Sequence, residues 1–117
     1  MSRRAEGLRA WVIQRVTAVY LALFGTYVVV RFIVAPPADH AALQHWVATP
    51  WISIGLLVLI GVVLAHAWVG VRDVFMDYIH NIWVRVVALV LTAFVFVASG
   101  IWSVQAIIIA QLRSVSA

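Results

Sequence analysis

A chain of 117 residues that is 66% hydrophobic and only 10% charged, with a mean hydropathy of +1.09, is built for lipid rather than water. That length holds about three bilayer crossings of roughly 20 apolar residues each and leaves no room for a separate soluble domain. The net charge of +4 comes from arginines scattered around apolar segments, which reads as a topology signal and excludes a nucleic-acid-binding face, while the lack of cysteine excludes disulfides, thiolate metal ligands and covalently attached c-type haem.

The N-terminal stretch, Met1 to Ala10, carries Arg3, Arg4 and Arg9 and runs into an apolar segment without a small-residue cleavage site, so no removable signal or transit peptide is expected. The first crossing is expected at about 11–35. Its centre, Val16 to Val30, is uncharged, and Arg15 and Arg31 lie near enough to its ends for their long stems to snorkel. Pro36-Pro37 ends the helix, because proline lacks an amide donor and pushes the preceding residue out of helical geometry. A short polar link follows to about Pro50, with Asp39, His40, Gln44 and His45.

The second crossing is expected at about 51–76, free of formal charge until Arg72. There Arg72, Asp73, Asp77, His80 and Asn81 mark a return to water. Arg72 and Asp73 are adjacent and leave a helix about 100° apart, so no direct pair is expected between them. The third crossing, about 83–112, has a charge-free stretch from Val86 to Leu112 bracketed by Arg85 and Arg113. It is longer than a minimal span, which implies tilt or protruding ends. The tryptophans fall mostly near predicted ends, as in an aromatic belt. The whole chain, 1–117, reads as a single all-α domain of three transmembrane helices without internal repeats. Arginine asymmetry places the N-terminus and the 72–85 link in the cytoplasm, and the 36–50 link and C-terminus outside.

His66 is the residue that most needs explaining, because an ionisable imidazole inside an apolar helix faces a partner helix, water, a proton path or a cofactor. If the helix runs on, His66, Gly70, Asp73 and Asp77 share a stripe roughly 60° wide, with Tyr78 on its flank. Gly70 would let a flat macrocycle or another backbone approach. Two readings of His66 stand together: an axial ligand to haem iron, or a hydrogen bond to a neighbouring helix. His40, His45 and His80 lie in polar links and are expected to be solvated.

Asp77 lies about 16 Å from His66 along the axis, so one helix can serve two depths. There Tyr78 is able to donate to a quinone carbonyl while Asp77 orients polar neighbours or relays protons. The same pair also suits an ordinary interfacial anchor. Arg15, at the start of the first crossing, suits either an anionic propionate or a lipid phosphate.

Two separated patterns, Trp11-Val-Ile-Gln14-Arg15-Val-Thr17-Ala18 and His66-Ala-Trp-Val-Gly70 followed by Val74 and Asp77-Tyr78-Ile79, together resemble the small hydrophobic membrane-anchor subunits of succinate dehydrogenase, the cytochrome b556 anchors. The resemblance covers almost the whole chain. It implies that the three helices pack with a second three-helix cytochrome b subunit around a shared haem b, in the inner (cytoplasmic) membrane of a bacterium. It implies His66 as one axial ligand to the haem iron, Arg15 near the propionates, and Asp77 and Tyr78 at the site where ubiquinone is reduced. FAD and the iron–sulfur clusters belong to the flavoprotein and iron–sulfur subunits, so succinate is not expected to touch this chain. The stretch before Trp11 departs from the pattern in being short, which leaves the contact with the iron–sulfur subunit unassigned. Two other readings are a small transporter or channel subunit with His66 and Asp77 in a proton path, and a structural anchor that binds no haem.

Overall fold

The computed structural model describes residues 3–116, with side chains from residue 5 onward. The Arg3 and Arg4 side chains, counted above among the topology arginines, lie outside the described residues. Four helices follow in chain order: α1 (Arg3–Val34), α2 (His40–Ala48), α3 (Pro50–Tyr78) and α4 (Ile82–Ser116). No strand occurs among the described residues. The three long helices are each long and apolar enough to cross a membrane, and the molecule measures 53 × 26 × 26 Å. The all-α, three-span architecture expected from the sequence is the one found.

α3 is the central element, with α1 packed against it and α4 packed against it separately, while α2 lies across α3 and α4. The long helices extend beyond the expected bounds at both ends of the chain. α1 already begins at Arg3, because the residues ahead of Trp11 include good helix formers such as Ala5, Glu6, Leu8 and Ala10. α1 stops before Pro36-Pro37, where the Arg31 guanidinium donates to Ala35 O.

α2 corrects the reading of 36–50 as a simple polar link. Asp39 sits in extended geometry and its Oδ1 accepts from Ala42 N at 2.7 Å, which caps the helix and satisfies one of its free amides. The Trp46 ring rests on Phe32 of α1, centroids 5.2 Å apart. Pro50 then starts α3 at a position where its missing amide costs nothing. Ser53, 1% exposed, donates from its hydroxyl to Val47 O at 2.6 Å and ties the end of α2 to the start of α3.

The turn between α3 and α4 is as tightly bonded. Ile79 N donates to Phe75 O at 3.0 Å to close α3, and Asn81 Oδ1 accepts from Trp83 N (2.9 Å) and Val84 N (3.3 Å) to cap α4. Arg85 reaches back and donates to Ile79 O through Nε (3.0 Å) and Nη2 (2.7 Å). Helices α3 and α4 pack through an edge contact of Trp68 on Phe96 and through the buried Gly100, against which Leu64 lies.

Few side chains are buried within the chain: Ile52, Val69, Ile107 and Ala110, with the polar Thr17 and Ser53. Large apolar residues such as Leu23, Ile33, Phe94 and Trp102 are mostly exposed. A surface of that kind is stable against lipid tails or other membrane helices, not against water.

Candidate functional site

The contact between α1 and α3 is built from small residues facing large ones. Tyr20, Phe24 and Tyr27 run along α1, with Tyr20 and Phe24 stacked at 5.6 Å and Phe24 and Tyr27 at 5.9 Å. Opposite them, Gly55 lets the helices close: a β-carbon there would sit 2.5 Å from the Phe24 ring. The Tyr20 hydroxyl donates to Gly55 O at 2.7 Å. Such close approach through a small residue is how helices adhere where no hydrophobic effect drives them together.

Further along the same antiparallel contact, nearer the N-terminal end of α1, polar groups replace the aromatics. Thr17, buried, places its Oγ1 3.0 Å from Nδ1 of the half-buried His66. The hydroxyl also reaches Ile13 O at 2.6 Å and Gln14 O at 3.2 Å. One turn further along α3, Gly70 faces the Gln14 amide, whose Nε2 would be 3.7 Å from an added β-carbon. That contact is helix packing, one of the two uses expected for Gly70. Gln14 Oε1 is buried and has no hydrogen-bond partner among the described residues.

His66 is thus satisfied at one ring nitrogen only. Nε2 makes no hydrogen bond among the described residues and is not sealed inside the chain. A ring tethered at Nδ1 with Nε2 accessible is the arrangement expected of an imidazole that ligates a metal. No group of three or more His, Asp or Glu side chains clusters among the described residues. What the donor set fits is a group that needs a single axial nitrogen from this chain, as a haem does, rather than an ion caged by protein ligands.

Arg15 is exposed and its guanidinium lies 5.5 Å from the Trp11 ring centroid. It precedes Thr17 by two residues, about 200° around α1, so the two side chains leave the helix on nearly opposite sides. Asp77 and Tyr78 occupy the last turn of α3, both exposed, and make no side-chain hydrogen bond among the described residues. The structure therefore brings His66 to α1 but does not join Arg15, Asp77 or Tyr78 to it. His40, His45 and His80 are exposed.

One expectation fails. Arg72 and Asp73 do pair, Nη2 to Oδ1 at 3.2 Å, because the long arginine stem bends across the 100° between adjacent positions. With both side chains about half exposed, such a pair contributes little.

Three contacts in this region have no counterpart in the sequence analysis: Thr17 with His66, Gln14 against Gly70, and Arg85 of α4 with the backbone at the end of α3. A signal for the first two exists, since Gln14 and Thr17 are polar, three apart and hence on one face of an otherwise apolar helix. Arg85 looks from sequence like any boundary arginine.

Comparison with known proteins agrees with this architecture. A hydrophobic membrane-anchor subunit of succinate dehydrogenase from Coxiella burnetii (strain RSA 493 / Nine Mile phase I) is 31% identical over 114 residues, with 94% of each chain covered. The profile of the succinate dehydrogenase/fumarate reductase transmembrane subunits matches residues 1–100. With most of its length accounted for by both matches, the chain belongs to the succinate dehydrogenase/fumarate reductase transmembrane subunit family.

Proposed function

We propose that this chain is the membrane anchor of a succinate:quinone oxidoreductase in a bacterial inner membrane, where it co-ligates a haem b and helps form the site at which ubiquinone is reduced. The N-terminus of α1 and the α3–α4 turn face the cytoplasm, as the arginine distribution favours. There the chain docks the flavoprotein and iron–sulfur subunits, which carry FAD and the clusters. A second cytochrome b subunit would pack beside it and complete the haem site.

The observation that carries this reading is the accessible Nε2 of a tethered His66 at membrane depth. Bound there, a haem supplies a one-electron carrier. Everything else falls to the protein: Thr17 holds the ring, Arg15 offers its charge to a propionate, and Tyr78 donates its phenolic proton in a hydrogen bond to a quinone oxygen. Asp77 supports that geometry and passes protons from the aqueous side. A histidine retained only for helix packing needs no accessible second nitrogen, and Nε2 of His66 makes no hydrogen bond among the described residues. A proton path from His66 to Asp77 has to bridge about 16 Å along α3; Asp73 lies between them on the same face, but Ala67 to Val71 offer no ionisable side chain on the way to it.

The test is a dithionite-reduced minus oxidised visible spectrum of the complex purified with its native partners, for wild type, His66→Ala and Tyr78→Phe. A b-type signal lost or altered in His66→Ala and intact in Tyr78→Phe, with quinone turnover reduced in the latter, supports the two sites. No haem in the intact wild-type assembly overturns the reading and leaves a haem-free anchor; proton flux without succinate would point to a transport subunit.

A further inference from the structure

We propose that Thr17 is a positioning residue that selects the tautomer of His66 and so presents the Nε2 lone pair to the iron; this rests on His66 being the axial ligand. The hydroxyl has a single proton and two sorts of neighbour. Ile13 O, at 2.6 Å, is a carbonyl and can only accept, so the proton lies in that bond, with Gln14 O at 3.2 Å a weaker second acceptor. Toward His66 the hydroxyl then has only lone pairs to offer. The 3.0 Å contact is a bond only if Nδ1 carries hydrogen and donates.

A neutral imidazole protonated at Nδ1 has its lone pair at Nε2. The opposite tautomer would leave Oγ1 donating to Nδ1 and pressed without a proton against Ile13 O, and would point an N–H at the ligand position. The chain of donors therefore runs one way, from His66 Nδ1 to Thr17 Oγ1 to Ile13 O, and each bond polarises the next. It ends on a backbone carbonyl of α1, so the orientation of a ring on α3 is set by a neighbouring helix. Burial of Thr17 keeps water from substituting for the hydroxyl.

Thr17→Val keeps the shape of the side chain and removes the acceptor, whereas Thr17→Ser keeps the hydroxyl. The experiment compares both with wild type in the assembled complex, reading haem retention against a competing haem-binding apoprotein and the low-spin haem EPR spectrum. Thr17→Val is expected to lose haem roughly 10- to 100-fold more readily, the usual effect of removing a partner of a ligating histidine, and to shift the EPR lines. Thr17→Ser is expected to restore both. Wild-type retention and spectrum in Thr17→Val overturn the proposal. If Thr17→Val does not assemble, Thr17→Ser decides: assembly with wild-type haem properties sustains the role of the hydroxyl, and assembly with altered haem overturns it. His66→Ala separates the two layers. Should that variant keep the wild-type haem signal, the ligand assignment itself fails; should it lose the signal while Thr17→Val does not change it, only the role of Thr17 fails.

Discussion

The middle of α3 and its last turn carry the two sets of residues proposed for chemistry, and they are prepared differently. His66 is half-buried, bonded to Thr17 and held against α1 on its Nδ1 side. Asp77 and Tyr78 are exposed and unbonded among the described residues, on a helix end that is itself held firmly by Arg85. In the middle, the chain supplies both the functional group and its support. At the end it supplies two exposed polar side chains on a fixed backbone, and on the proposed reading partner subunits and the quinone would supply the remaining walls. A site assembled from several chains needs a rigid contribution from each.

That contrast makes mutations in the two regions separable. The largest expected effect is on the haem: His66→Ala should abolish or transform the reduced-minus-oxidised b-type signal while the complex still assembles, since only one side chain of the α1–α3 contact is lost. Next is Gly55→Leu, which drives a branched side chain into the Phe24 ring. Overpacking of this sort costs about 1–3 kcal/mol and should lower the thermal stability and yield of the complex in detergent, with haem content falling in parallel.

Smaller effects belong to the end of α3. Tyr78→Phe removes one donor and should slow quinone reduction by roughly 10-fold, the equivalent of one hydrogen bond of about 1–1.5 kcal/mol, with an unchanged haem spectrum. Arg85→Leu frees Ile79 O and should reduce quinone turnover by about 2- to 5-fold through looser placement of the last turn, again without spectral change. A haem shift in either of these variants, or quinone turnover lost in a His66 variant that assembles fully, would erase the distinction between the two regions.

The three spans were legible because charge-free apolar runs end at arginines and prolines, a signal that needs no tertiary information. His66 stood out for a related reason, a polar side chain in apolar surroundings, and the structure gives it a partner in Thr17, whereas the quinone roles of Asp77 and Tyr78 are proposals drawn from the resemblance. α2 was not legible, although its signals are in the sequence. Asp39 caps it, and Leu43, Trp46 and Val47 fall on one face, but a nine-residue helix in a polar stretch is marginal without the Phe32 ring and the ends of α3 and α4 to pack on. The pairing of Thr17 with His66 joins residues far apart in the chain and depends on how α1 and α3 are set against each other. Local periodicity shows only that Gln14 and Thr17 share a face, not what that face meets. The Arg72–Asp73 pair was misread because backbone direction alone does not bound the reach of an arginine.

Most of the large apolar residues of this chain face outward. Where such a position meets lipid tails rather than another helix, one aliphatic side chain replaces another with little penalty, since the tails are fluid and as apolar as leucine. Sequence drift is therefore cheap over the lipid-facing surface and expensive along the narrow strip where Gln14, Thr17, Tyr20 and Phe24 meet Gly55, His66 and Gly70.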